Sequence, residues 1–505
     1  MIGKTYSACV NGVKGLLVEV EADVAGGIPS FELTGNLSSI VKESKERVRL
    51  AIRNSGLELK PSKIVINLAP ARLRKEGAHF DLAIAVSVLC ANNTLKQELN
   101  DTIFIGELAL DGRVLGVKGV LPMIDMAKKH GFKRCIIPKK NIGESRLIDG
   151  VEVYGVESLR ECILYLQGEC ELTKENKECP KAEDMIYDYD FADILGQSAL
   201  KRGMLIAASG MHNILMVGPP GAGKTMAAMR LNTILPPINR EQIIDISRIY
   251  SVAGLLMDKG DYIRHRPFRT PNYTITPAAM AGGGINPTPG EMSLSQYGIL
   301  FLDELNLFRH ETLETLRIPM ETGQVNINRI NGTVSFPADF MLVAAINPCK
   351  CGYYPDRNKC NCTAREVSLH FGKISRPILD RIDMCIQAPK VQYEDMANVE
   401  ISKDCSSANM RDVVLRVQEI QKSRFEKENF KYNSRIPINK MNKYCVMEDE
   451  ARALMKTVYN QYDLTARAYH KLIRVARTIA DVENHNRIML TDIAEAVGYK
   501  MLEVK

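Results

Sequence analysis

The stretch Asn213–Thr225, NILMVGPPGAGKT, narrows the possible folds more than any other part of this chain. Ile214–Val217 is an apolar run of strand length. Gly218-Pro219-Pro220-Gly221-Ala222-Gly223 breaks it, and Lys224-Thr225 then opens a helix-forming segment, MAAMRLNTIL. A strand, a GxxxxGK[ST] loop and a helix in that order form a phosphate-binding device. Glycines let backbone N–H groups approach phosphate oxygens that a Cβ would exclude, and the helix N-terminus adds partial positive charge. Lys224 is placed to reach the β- and γ-phosphates of a nucleotide, and Thr225 to hold Mg²⁺ through its hydroxyl. A bare Gly/Pro turn followed by a lysine would not need both flanking elements.

Hydrolysis requires acidic groups near that loop. Gly298–Glu304, GILFLDE, reads as a buried strand that delivers two carboxylates at its C-terminal end, where open α/β sheets bind ligands. Asp303 is assigned to the Mg²⁺ shell and Glu304 to polarising the attacking water; the Asp-Glu pair favours an AAA+-type ATPase over a small GTPase. A third apolar run, Phe340–Ile346, ends in Asn347, whose amide can orient the same water or simply start a turn before Pro348. Two arginines are candidates for stabilising charge on a γ-phosphate from a neighbouring subunit, Arg381 in ILDRID and one in RAYHKLIRVART. VNINRINGTVSF alternates on both sides of Asn331-Gly332 and reads as a hairpin with Arg329 near its tip, either a finger into a pore or a surface hairpin.

At 505 residues the chain has room for about three domains. A net charge of +6 is small for this length, so any nucleic-acid surface must be local. The first residues, MIGKTYSACVNGVKG, lack a signal-type apolar core, and the longest apolar run, Leu82–Ala91, is too short to span a bilayer. A cytoplasmic chain with no membrane partner is expected. Thirteen cysteines in such a chain imply thiols or metal ligands. Cys349, Cys351, Cys360 and Cys362 form two close pairs that can close a tetrahedral Zn²⁺ site; free thiols and redox chemistry are the alternatives.

The pattern divides the chain into five segments. Residues 1–168 mix strands and helices as an α+β domain. Within it, strands are expected at Leu16–Glu21, Lys63–Leu68 and Arg134–Ile137. Helices are expected from Ser38 or Ser39 to Gly56, over Asp81–Cys90, and from Pro122 to Gly131. A hairpin should join Ile103–Leu110 to Arg113–Val117. Residues 169–190 are acidic and aperiodic and read as a linker. The α/β core follows at 191–390, then a partly helical connection at 391–434. A helical unit at 435–505 comprises Asp449–Tyr459, Ala466–Val482 and Asp492–Met501, the last capped by Thr491.

Several long motifs then occur in one order: GNLSSIVKESKERVRLAIRNSG, INLAPARLRKEGAHFDLAIA, GELALDGRVLGVKGVLPM, RPFRTPNYTITPAAMAGGGINPTPGEMSLSQYGILFLDEL, AAINPCKCGYY, SRPILDRID and LTARAYHKLIRVARTIAD. Together they resemble the ComM/YifB family of magnesium-chelatase-like AAA+ ATPases over nearly the whole chain. The resemblance implies a Lon-protease-like first domain (ribosomal S5 domain 2-like), a P-loop AAA+ parallel-sheet core with an insert in its second helix over Gly254–Gln296, and a C-terminal helical lid. It implies a hexameric ring acting on single-stranded or branched DNA in branch migration, with ATP and Mg²⁺ as cofactors. By position, Lys224 and Thr225 match Walker A, Asp303 and Glu304 Walker B, Asn347 sensor 1, Arg381 the trans-acting finger and Arg467 the sensor 2 arginine. The Arg329 hairpin resembles the pre-sensor 1 hairpin. Gly77-Ala78-His79-Phe80-Asp81 has no Ser where a Lon nucleophile would lie, and no Lys matches near Leu121, so no peptidase activity is expected. Asn272-Tyr273, Asn306-Leu307 and Arg376 also depart from the family pattern. A magnesium-chelatase-like motor that remodels a protein partner is the alternative to a DNA motor.

Overall fold

The computed structural model describes residues 2–59, 61–95, 97, 99–172, 174, 187–257, 262–329, 332–390 and 405–500. The first unit is built on a seven-stranded mixed sheet. Its long antiparallel ribbon, β1 (Ile2–Asn11) against β2 (Lys14–Ala25), turns through Gly12. Next come β3 (Ser30–Thr34), β4 (Lys63–Ala69) and β5 (Thr102–Phe104), then a small separate hairpin, β6 (Glu107–Leu108) with β7 (Val114–Leu115), and finally β8 (Arg134–Pro138) and β9 (Glu152–Val156). The main sheet runs β3-β4-β2-β1-β5-β8-β9.

Expected elements recur here with shifted ends. Ser38 caps the Ser39–Asn54 helix, its hydroxyl accepting from the Val41 N–H. The Ile103–Leu110 arm is a correction. It splits at Ile105-Gly106, so Thr102–Phe104 pairs within the main sheet and only Glu107–Leu108 enters the hairpin. A Cβ at Gly106 would lie 2.8 Å from Val114. The third helix begins at Val120, two residues before Pro122, because a proline in the first turn removes only an N–H that has no helical acceptor.

The Asp81–Ala91 helix is buried all round, packed on one face of the sheet. The Val120–Lys129 helix covers the other face. There the core continues into the second unit, through Ile243, Ile246, Ile249 and Tyr250 of the Arg240–Ala253 helix. A polar clasp crosses the same seam: the Gly119 N–H donates to the Ser251 carbonyl, and the Ser251 hydroxyl donates to Glu144. Burial pushes the Glu144 carboxyl above its ordinary range.

The second unit is a five-stranded sheet, every pair parallel: β10 (Ile214–Val217), β11 (Phe268–Arg269), β14 (Ile299–Leu302), β17 (Met341–Ile346) and β18 (Met384–Gln387), in the order β11-β14-β17-β10-β18. Two short ribbons project from it, β12 (Gly282–Gly283) with β13 (Thr288–Pro289), and β15 (Gln324–Arg329) with β16 (Gly332–Pro337). The second is the expected arginine-bearing hairpin; Asn331 of its turn lies outside the described residues. So do most of the acidic 169–190 segment, residues 391–404 and Met501.

The C-terminal helices Ser407–Arg424, Asp449–Gln461, Ala466–Val482 and Leu490–Gly498 share one core with the back of this sheet and the Ser198–Gly210 helix. The last helix starts at Leu490, so Thr491 lies inside it and does not cap it; the Asp492 carboxylate instead accepts from the Met489 N–H at 2.8 Å. Beneath these helices is a buried charge cluster. Arg424 donates to both Asp481 oxygens (2.7 and 2.6 Å), and Arg477 and Asn433 add further bonds to the same carboxylate at 2.8 Å. Among the described residues no helix is long and apolar enough to cross a membrane.

Arg477 and Asp481 are both almost fully buried, so removing one partner strands the other's charge. Asp481→Ala should destabilise the fold by about 3–5 kcal/mol, read as a lower denaturant midpoint.

Candidate active site

Parallel pairing puts the C-terminal ends of β10, β14 and β17 on one edge. Val217 lies opposite Ile346, and Leu302 opposite Ala344. The residues that follow each strand, Gly218, Asp303 and Asn347, therefore emerge side by side. The Gly218–Lys224 loop wraps that edge, with Gly221 and Gly223 at φ +77° and +78° in the left-handed region. At Gly218 the constraint is contact: a Cβ there would lie 2.1 Å from the Ala388 carbonyl oxygen.

Lys224 opens the Lys224–Ile234 helix and is buried. Its ammonium donates to the carbonyls of Gly218 (2.7 Å) and Pro219 (2.9 Å) and to Asn347 Oδ1 (3.1 Å). Desolvation lowers its pKa, while Asp303 and Glu304 act the other way. Thr225 donates its hydroxyl to Asp303 Oδ2 at 2.8 Å. Those two oxygens are hard donors of the kind Mg²⁺ takes, so the pair suits it. The other Asp303 oxygen accepts the Glu304 N–H at 2.9 Å. Glu304 adopts φ 51°, ψ 49° and its side chain is exposed. A non-glycine residue held there costs about 1–2 kcal/mol, and such strain gathers at functional sites.

Asn347 is fixed from behind, its carbonyl 3.0 Å from His370 Nε2 on the Ala364–Phe371 helix. Sequence reasoning did not single out His370; a histidine on an amphipathic helix carries no local signal of such a contact. Between Asn347 and that helix lie the four cysteines. Their sulfurs all fall within 4.8 Å of one another, with Cys349–Cys351 at 3.2 Å and Cys351–Cys360 and Cys351–Cys362 at 3.5 Å. A backbone N–H from Tyr353 is the main cause that draws the Cys351 thiol down to about 6.

Arg381 and Arg467 are elsewhere. Both line a cavity of about 280 Å³ together with Asp380, Lys471 and Arg474. Asn213, just before β10, also lines it, and its side chain donates to the Arg381 carbonyl at 3.2 Å. The cavity is thus at the start of β10, whereas the phosphate loop is at its end. The Arg381 guanidinium binds Glu321 (2.6 Å) and the carbonyls of Arg317 and Pro377. Arg467 is largely exposed, 3.8 Å from Asp380. Within one chain neither arginine shares the Lys224 site.

A larger cavity, about 770 Å³, lies between the first unit and the β15–β16 hairpin and is lined by Arg72, Arg74, Lys118 and Arg329. Glu76 pairs with Arg74 at 2.9 Å; Arg72, Lys118 and Arg329 have no carboxylate partner among the described residues. His79 and Cys9 also border it. Burial takes the His79 pKa down to about 4 and the Cys9 thiol up to about 11, so neither carries charge at neutral pH.

A parallel sheet with a glycine-rich loop at its carboxyl edge, a lysine inside the loop, and a Thr–Asp pair beside it define a P-loop nucleotide-binding protein. Three family models match: magnesium chelatase subunit ChlI over residues 190–396, subunit ChlI of Mg-chelatase over 20–141, and the C-terminal part of that subunit over 404–500. The competence protein ComM of Haemophilus influenzae is 36% identical over 504 residues, covering 98% of this chain and 97% of ComM. A Salmonella typhimurium protein named YifB is 38% identical over 497 residues, covering 97% of this chain and 96% of that protein. A DNA repair protein RadA of Listeria monocytogenes is 32% identical over 168 residues, 32% of this chain and 35% of RadA. The chain belongs to the ComM/YifB family of magnesium-chelatase-like proteins.

Because a Cβ on residue 218 meets backbone and not a flexible side chain, Gly218→Ala must displace the phosphate loop. It should weaken binding of a fluorescent ATP analogue at least tenfold while leaving the far-ultraviolet circular dichroism unchanged.

Proposed function

We propose that this chain is an AAA+ ATPase that hydrolyses ATP to move DNA through a ring of identical copies, a branch-migration helicase of the ComM type. The observation that carries the reading is the convergence of Lys224, Thr225, Asp303, Glu304 and Asn347 on one sheet edge. Lys224 is already desolvated and holds two loop carbonyls that phosphate oxygens can replace. Thr225 and Asp303 would hold Mg²⁺, which neutralises phosphate charge. Glu304 projects an exposed carboxylate from a strained backbone, suited to take a proton from the attacking water, and Asn347 orients that water.

The placement of Arg381 and Arg467 at the far end of β10 favours a ring. They would complete a neighbour's site, supplying positive charge as the γ-phosphate leaves. A hexamer of such copies is the assembly of this reading. ATP and Mg²⁺ are its cofactors, with Zn²⁺ at the four-cysteine cluster. The basic cavity beside Arg329 supports DNA as the partner, because cations without carboxylate partners suit a phosphate backbone. The likeness to ComM supports the same choice. The family matches to a magnesium chelatase subunit favour a second reading, a motor that remodels a protein partner.

Strand displacement on a branched DNA substrate separates the two readings. It should require Mg-ATP, and no displacement under any loading condition would refute the DNA motor. Glu304→Gln should lower ATP turnover about 10²–10⁴-fold with nucleotide binding retained, measured by phosphate release. Arg329→Ala should reduce DNA-stimulated turnover several-fold more than turnover without DNA; equal losses would remove the hairpin from the DNA path.

A further inference from the structure

Residues 347–371 leave the active site and return to it. The segment departs at Asn347, whose amide touches Lys224, and comes back through His370, which bonds the Asn347 carbonyl. Little apolar packing holds it together: Cys349, Cys360 and Val367 form a small cluster with Tyr354 and Phe371 at its border. A loop of this length with so small a core needs a crosslink to hold one shape.

The four thiols occupy the centre of that loop. Zinc–sulfur bonds of about 2.3 Å in a tetrahedron place sulfurs about 3.8 Å apart. The sulfur separations here, 3.2 to 3.7 Å among the closest pairs, approach that spacing. They are far longer than a disulfide's roughly 2.05 Å. Cys349 and Cys360 are buried and Cys351 is exposed, so the cluster is anchored on one side and reachable from solvent on the other.

The cluster also touches the phosphate loop. The Gly352 N–H closes a turn onto the Cys349 carbonyl at 3.0 Å. A Cβ at Gly352 would lie 2.5 Å from Cδ of Pro220, so the glycine backbone rests against the proline ring of the GPPGAG loop. On the other side, Cys362 runs directly into Thr363, the N-cap of the helix that carries His370, with Glu366 closing the capping box.

We propose that Cys349, Cys351, Cys360 and Cys362 bind one Zn²⁺, and that this zinc knot is the buttress holding Pro220 and Asn347 in position for nucleotide. Zinc binds all four sulfurs as thiolates, so each thiol that is still protonated loses its proton to solvent as its zinc–sulfur bond forms. The buttress role rests on the ATP reading of the Lys224 site; the metal site does not.

The test uses the full chain, purified without chelator. Metal analysis should give about one zinc per chain. Removing the zinc should weaken binding of a fluorescent ATP analogue about tenfold and lower turnover to a similar degree, with added Zn²⁺ restoring both. Circular dichroism before and after stripping shows that the rest of the chain stays folded. Cobalt in place of zinc should give the visible absorption of a tetrahedral thiolate site. Cys360→Ser and Cys351→Ser should lose the metal and reproduce the stripped protein, whereas Cys170→Ser should do neither.

Zinc content near zero, or the absorption of iron in the purified protein, overturns the metal site. A stoichiometric zinc whose removal leaves nucleotide affinity unchanged overturns the buttress. Failure of the zinc-loaded protein to bind nucleotide at all removes the ATP reading and the buttress with it, and leaves the metal count standing as its own result.

Discussion

A lysine ammonium buried at the edge of a parallel sheet is the constraint around which the second unit is arranged. Taking that charge out of water is unfavourable unless its donors are satisfied. Lys224 meets this with two carbonyls of its own loop and one amide from a different strand. Each partner fixes something else. The carbonyls require the loop to curl back, which puts Gly221 and Gly223 in the left-handed region. The amide requires β17 to lie beside β10, so that Asn347 arrives at the right height. The lowered lysine pKa follows from the same burial, against which the neighbouring Asp303 and Glu304 act. The loop is thus held in shape by polar contacts that a phosphate chain can take over.

The first unit is joined to this arrangement by more than a linker. Its Val120–Lys129 helix and the Arg240–Ala253 helix of the second unit contribute to one apolar core, and Glu144 and Ser251 clasp across the seam. The turn between β1 and β2 also approaches the hairpin, since a Cβ on Gly12 would lie 2.8 Å from the Ser335 carbonyl oxygen. The basic cavity is therefore a product of docking: Arg72, Arg74 and Lys118 come from one unit and Arg329 from the other. Behind the sheet, the Arg424–Asp481–Arg477 cluster ties the helical unit together, with charge satisfied by opposite charge and by the Asn433 amide.

The strand–loop–helix at Asn213–Thr225, the acidic end of the Ile299–Leu302 strand and the hairpin around Arg329 were legible because their signals are local. An apolar run, a glycine spacing or an alternating pattern is written in consecutive residues, and backbone sterics and side-chain periodicity translate it directly. The Ile103–Leu110 arm was misjudged for the opposite reason. Its apolar residues serve two different sheets, and a single continuous run does not reveal where its hydrogen bonds change partner. Thr491 had the right chemistry for a cap, but the Asp492 carboxylate takes the Met489 N–H, and the helix starts two residues earlier than expected, at Leu490.

Sequence alone singled out the groups to which the proposed chemistry is given: the lysine, the hydroxyl, the two carboxylates, the amide and the four thiols. It could do so because each chemistry demands particular atoms at short spacing. Tertiary structure decided which of them meet. It put Asn347 on Lys224 across 123 positions of chain, rested Gly352 on Pro220, and sent Arg381 and Arg467 to the opposite end of β10 from the phosphate loop. Those outcomes follow from strand order and parallel register, which depend on how distant segments bury their apolar faces together, and no window of consecutive residues contains that information.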